Sequence, residues 1–72
     1  MADVLAPMSG NIWKILIAIG DQVQEGDEIL VMEAMKMEMP VVAPVGGRLA
    51  ALNVKEGDPV EADSLLAVVT PA

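Results

Sequence analysis

The 72-residue chain has no cysteine, no histidine, no phenylalanine and no tyrosine, and its single aromatic residue is Trp13. Each gap excludes a class of chemistry. Without Cys there is no disulfide staple and no thiolate nucleophile; without Cys and His there is no ordinary zinc site and no imidazole acid–base group. Cations are scarce too: four basic residues stand against eleven acidic ones, a net charge of −7. Such a surface repels phosphate backbones and anionic headgroups, so neither nucleic acid nor membrane is an expected partner, whereas a basic docking face is. The longest uniform apolar run, Ile15–Ile19, is far too short to cross a bilayer. Met1-Ala2-Asp3 lacks the basic start of a secretory signal, and the absence of Cys fits a cytoplasmic location. A catalyst would have to be assembled from carboxylates, the four basic residues, Ser9, Ser64, Thr70 and backbone amides, with little depth in which to shift a pKa. Chemistry supplied by an attached cofactor is the more economical reading, so the chain is not expected to be an enzyme on its own.

What the chain has in excess is aliphatic residues: 54% of it is hydrophobic, chiefly Val, Leu, Ile, Ala and Met. At this length the expectation is one small domain over residues 1–72, burying about 60% of the surface its unfolded chain exposes. It is also one motif written twice. A shift of 37 residues carries Ala6-Pro7 onto Ala43-Pro44, Gly10 onto Gly47, Ile12 onto Leu49, Gly20-Asp21 onto Gly57-Asp58, Val23 onto Val60 and Val31 onto Val68. No gap is needed, so residues 6–32 repeat as 43–69.

Turn signals cut each copy into short extended pieces. The first copy predicts strands at Val4–Ala6, Asn11–Ala18, Gln22–Gln24 and Glu28–Ala34; the second predicts them at Met37–Ala43, Gly47–Val54, Pro59–Glu61 and Leu65–Thr70. Alternation along the second strand puts Ile12, Lys14 and Leu16 on one side, and Trp13, Ile15 and Ile17 on the other. One segment disagrees: Glu33-Ala34-Met35-Lys36-Met37-Glu38-Met39 consists of good helix formers. Pro40 cuts it short, and Glu28–Met32 shares the register of Leu65–Val69, which reads as strand. Two four-strand copies, each with an apolar face, bury those faces best against each other. The expected fold is all-β: a flattened barrel or sandwich of two four-stranded antiparallel sheets with quasi-twofold symmetry. The junction at Met35-Lys36 then becomes a hairpin at one end, with the chain termini at the other.

At that junction, alternation places Met35, Met37 and Met39 on one side and Lys36 and Glu38 on the other. A solvated turn lysine beside core-filling methionines would be the plain reading. Two features count against it. Methionines flank the lysine where a turn ordinarily takes Gly, Asn or Asp, and the lysine lies on the axis of the duplication.

Glu33-Ala34-Met35-Lys36-Met37 resembles the attachment motif of the biotinyl domain family, which includes biotin carboxyl carrier proteins. The similarity covers nearly the whole chain: Ala6-Pro7-Met8, Gly10, Gly20-Asp21, Val23, Glu25-Gly26, Ala43-Pro44, Gly47, Glu56-Gly57-Asp58 and Val60 match the family's turns in order. The resemblance implies the same two-sheet fold, with biotin joined covalently to Lys36 in a hairpin and Met35 and Met37 as its motif neighbours. It implies a carrier that shuttles carboxyl between a biotin carboxylase and a carboxyltransferase after modification by a biotin protein ligase, the domain itself being monomeric. Glu33 would either cap the hairpin by a cross-strand contact or guide the modifying enzyme. Trp13 reads as a packing or surface residue. Three departures stand out. Ser9 replaces a Pro common in the family, Ala62-Asp63 replaces a Glu-Gly and predicts a distorted turn, and no segment is spare for the thumb loop of some bacterial carriers. A lipoyl carrier, whose lysine is typically set in Asp-Lys-Ala, a dual biotin/lipoyl carrier and an unmodified interaction module of the same fold are the alternatives.

Overall fold

In the computed structural model, which describes residues 1–72, the strands are β1 (Ala2–Leu5), β2 (Gly10–Ile15), β3 (Gln22–Val23), β4 (Glu28–Ala34), β5 (Met37–Val42), β6 (Gly47–Leu52), β7 (Pro59–Val60) and β8 (Leu65–Pro71), with no helix. The helix-forming run at 33–39 is strand, turn and strand, as the repeat requires. Adding 37 carries β2, β3 and β4 onto β6, β7 and β8 end for end. The two sheets have the orders β1-β8-β6-β3 and β5-β4-β2-β7, and the same shift converts one order into the other. All pairings are antiparallel.

The copies do not each form a layer, as their sequence suggested. Each sheet takes two strands from each copy. Interleaving ties the halves together through backbone groups: Gly20 N–H donates to Leu49 O (2.8 Å) and Leu49 N–H to Asp21 O (2.9 Å), while Gly57 N–H donates to Ile12 O (2.7 Å) and Ile12 N–H to Asp58 O (2.8 Å). Neither half can satisfy its own main chain, so the two fold as one unit.

Bulges recur with the repeat. Registers slip between Ile12 and Lys14 and again between Leu49 and Ala51; they slip between Val4 and Leu5, and between Glu28 and Leu30. Each inserts one residue and reverses the facing of those beyond it. This corrects the expected faces of β2: Ile12 is buried, Ile15 and Ile17 are half-buried, and Trp13, Lys14 and Leu16 are exposed. It also explains why Ile29 and Leu30 are both buried although adjacent. Strand β2 ends at Ile15 rather than Ala18, where Ile15 N–H donates to the Glu56 carboxylate (3.0 Å) and Ala18 N–H to Asp21 Oδ2 (2.9 Å).

The core follows the same symmetry. Val4/Val41, Ala6/Ala43, Ile12/Leu49, Ile29/Leu66, Leu30/Ala67 and Met32/Val69 are buried as matched pairs, and Val23 completes the cluster with Val60 packed against it. Burying an aliphatic side chain of this size contributes roughly 1.5–3 kcal/mol, so this row of pairs holds the two sheets together. The body measures 34 × 17 × 17 Å. The β4–β5 hairpin closes one end of it; the symmetry carries Met35 onto Ala72, so the termini lie at the opposite end.

The turn at Ala62-Asp63 is not distorted. Asp63 takes the left-handed conformation (φ 68°) that Gly26 takes in the first copy (φ 90°). Its N–H donates to Ala6 O at 2.8 Å, as Gly26 N–H donates to Ala43 O at 2.9 Å. A short polar side chain tolerates this region better than most, which is how Asp substitutes for Gly here. The neighbouring departures also meet: Ala62 N–H donates to the Ser9 hydroxyl at 3.2 Å.

Candidate site at the hairpin tip

Strands β4 and β5 pair down to Ala34 opposite Met37, so Met35 and Lys36 alone form the loop. Both have positive φ, 52° and 63°. A two-residue hairpin loop with left-handed residues at both centres is a type I′ turn, normally filled by Asn-Gly. An L-residue other than Gly, Asn or Asp pays about 1–2 kcal/mol for that conformation, so this apex is strained twice over.

The base of the hairpin over-determines the strain. Met32 and Ala34 are buried, and Ala34 rests on the start of β2. A Cβ on Gly10 would stand 2.5 Å from Glu33 O and 3.0 Å from Ala34 Cβ, so only glycine permits β2 to pass this close. Gly10, a turn glycine by its sequence setting, is also the floor of the hairpin. Its recurrence at Gly47 was the available signal: a Cβ on Gly47 would overlap the Thr70 carbonyl.

Lys36 is exposed, and none of the molecule's six side-chain hydrogen bonds engages it. Its ammonium is therefore uncommitted and projects from a convex end. The methionines do not fill the core, in contrast to the plain reading. Met35 is 83% and Met37 65% exposed, Met39 is half-buried, and only Met32 is fully covered. Strand alternation does not run through the junction, because Met35 and Lys36 occupy the turn itself. Glu33 is exposed and lies directly across from Glu38 on one side and Asn11 on the other. Two like charges in opposition do not cap a hairpin; they weaken it slightly. Trp13 is not part of the tip: it sits 45% exposed on the outer face of β2, with Lys14 Nζ 5.5 Å from its ring centroid.

The surface has two shallow concavities, of about 340 and 500 Å³, and both lie at the far end around Gln22, Gly47 and Ala72. No cleft adjoins Lys36. A group attached there is presented to another protein's cleft and is not enclosed by this one. An amine with full access and no internal partner suits covalent acylation, which needs reach and not a pocket.

The family described as "Biotin-requiring enzyme" matches residues 2–69. The chain is 47% identical over 60 residues to the biotin/lipoyl attachment protein of Bacillus subtilis, covering 82% of each. It is 42% identical over 64 residues to the biotin carboxyl carrier protein of Streptococcus mutans, covering 88% of this chain and 49% of that one. Among solved structures it superposes on the urea carboxylase of Kluyveromyces lactis with a TM-score of 0.91 and 39% identity, covering 96% of this chain and 6% of the carboxylase. The chain thus spans most of one relative, about half of another and a small part of a third.

Proposed function

The chain belongs to the biotin/lipoyl attachment family, and with that membership as premise we propose that Lys36 is where it carries its cofactor. The cofactor is biotin, and the chain is a carrier, a part of the biotin-dependent carboxylase machinery and not a catalyst alone. The observation that supports Lys36 is its position: an exposed, unpaired amine at the apex of a turn that a buried ladder holds in a left-handed form.

A biotin protein ligase acylates the Lys36 Nζ, which loses its proton and its charge and becomes a neutral amide. The lysine stem and the valeryl chain together give a tether of about 14 Å. Biotin, when attached, supplies a ring that accepts and releases a carboxyl group. The protein's own contribution is presentation. The hairpin keeps the tether's root clear of the body, and the rigid sandwich excludes collapse of the arm onto a local cleft. Tethering makes each encounter intramolecular, at an effective concentration of roughly millimolar. The partners on this reading are the ligase, a biotin carboxylase and a carboxyltransferase, and the acidic surface favours basic docking faces on them.

A second reading is lipoyl or dual modification, favoured by the relative named biotin/lipoyl attachment protein. The methionines on both sides of Lys36 favour biotin. Co-expression with an active ligase and ample biotin separates the readings. The expected result is one biotinyl adduct by intact mass, a streptavidin signal, and loss of both in a folded Lys36→Ala protein. A lipoyl adduct without streptavidin signal would reverse the choice, and a free amine would leave an unmodified interaction module.

A further inference from the structure

The methionine side chains at the tip lie largely outside the core. Of six methionines, Met35 and Met37 flank Lys36 with 83% and 65% of their surface open, whereas Met32, two residues before Ala34 on the same strand, is 0% exposed. Exposure governs how fast a thioether is oxidised, and oxidation turns a flexible apolar side chain into a polar one. Together these two side chains also make the apolar surface next to the amine, on an otherwise acidic domain with Glu33 and Glu38 one rung below. Any enzyme that handles Lys36 has to cover them.

We propose that Met35 and Met37 form a peroxide-sensitive modification site that controls whether Lys36 accepts its cofactor. This rests on the carrier reading above. In the step, the thioether sulfur attacks one oxygen of hydrogen peroxide, an S–O bond forms and the O–O bond breaks. The sulfur is oxidised by two electrons to a sulfoxide, the peroxide is reduced, and its second oxygen leaves as water after taking the proton from the oxygen now bound to sulfur. The sulfoxide oxygen is a strong acceptor that must be desolvated when a partner closes over the tip. An unpaired polar group buried at an interface lowers affinity by roughly tenfold or more. Met35 is the more consequential of the pair, because it occupies the turn itself.

The test treats the apo-protein with graded hydrogen peroxide, maps sulfoxides by peptide mass spectrometry, and then measures the rate of biotin transfer by a biotin protein ligase. Met35 and Met37 should oxidise well before Met32. Transfer should fall roughly tenfold as they do, and treatment with methionine sulfoxide reductases should restore it. Met1, 85% exposed at the far end, is the internal control: it should oxidise as readily as Met35, and in Met35→Leu/Met37→Leu its sulfoxide should form with no loss of transfer. In Met35→Leu/Met37→Leu the ratio of treated to untreated rate should stay near one. Oxidation of Met32 ahead of Met35, an undiminished rate with both tip sulfurs oxidised, or an equal loss in the double leucine variant would each overturn the inference. Failure of the untreated protein to accept biotin would instead overturn the carrier reading on which it rests.

Discussion

The two ends of the molecule are built from the same motif and finished differently. At one end the first copy runs on through Met35-Lys36 into a closed, doubly left-handed turn. At the other, β8 of the second copy pairs with β1, and Ala72 N–H donates to Gly46 O at 3.2 Å. The core beneath both ends is the same row of matched pairs, and both ends use a glycine, Gly10 or Gly47, to bring β2 against β4 or β6 against β8. What distinguishes the proposed attachment end is therefore neither burial nor packing. It is a short piece of strained backbone with an amine on it. Local strain is tolerated where a rigid surround imposes it, and the duplicated sandwich supplies that surround beneath Met35 and Lys36.

The comparison can be broken first in the core. Ile12→Ala and Leu49→Ala remove matched buried side chains, and each should cost about 2–5 kcal/mol. Because the strands interleave, urea unfolding should remain a single transition in both; a two-step curve would show that the halves are separable. A smaller effect is expected at the glycine floors. Gly10→Ala and Gly47→Ala should each destabilise by about 1–3 kcal/mol through overpacking. Only Gly10→Ala should also slow biotin transfer to the protein that remains folded, since it alone displaces the hairpin base. Equal slowing by both would erase the distinction between the ends.

The strain itself comes next. Converting the apex to its preferred turn, Met35→Asn with Lys36→Gly, should raise stability by about 1–2 kcal/mol and remove biotin acceptance altogether. The gain in the denaturation midpoint reports the strain, and the loss of acceptance reports removal of the amine. The smallest effect lies at the Gly26/Asp63 pair. Asp63→Gly should stabilise by up to about 1 kcal/mol and Gly26→Asp should destabilise by a similar amount, measured by thermal unfolding.

Much of this was legible in the sequence. The repeat at 37 residues, the eight strands and the lysine at the junction follow from spacing and turn residues, because those signals are local and were written twice. The rest is hidden for physical reasons. A bulge such as the one at Trp13 leaves no mark in composition, yet it reverses which side chains face the core. Pairing between copies is non-local, so the assignment of strands to sheets could not be read from either half alone. The apex was obscured by its own residues: Met35 and Lys36 favour helix, and tertiary pairing forces them into a turn they do not prefer. The family resemblance brought the meaning of that apex; geometry supplied the reason it stands clear.

Three lysines, Lys14, Lys36 and Lys55, are exposed, so access alone does not choose among them. The most direct measurement is to map, by peptide mass spectrometry, which of them carries biotin after the ligase reaction, in the native protein and in Met35→Lys/Lys36→Met. The account predicts a single adduct on Lys36 in the first and almost none anywhere in the second, with the fold unchanged. An adduct on Lys14 or Lys55, or undiminished transfer to the displaced lysine, would contradict it.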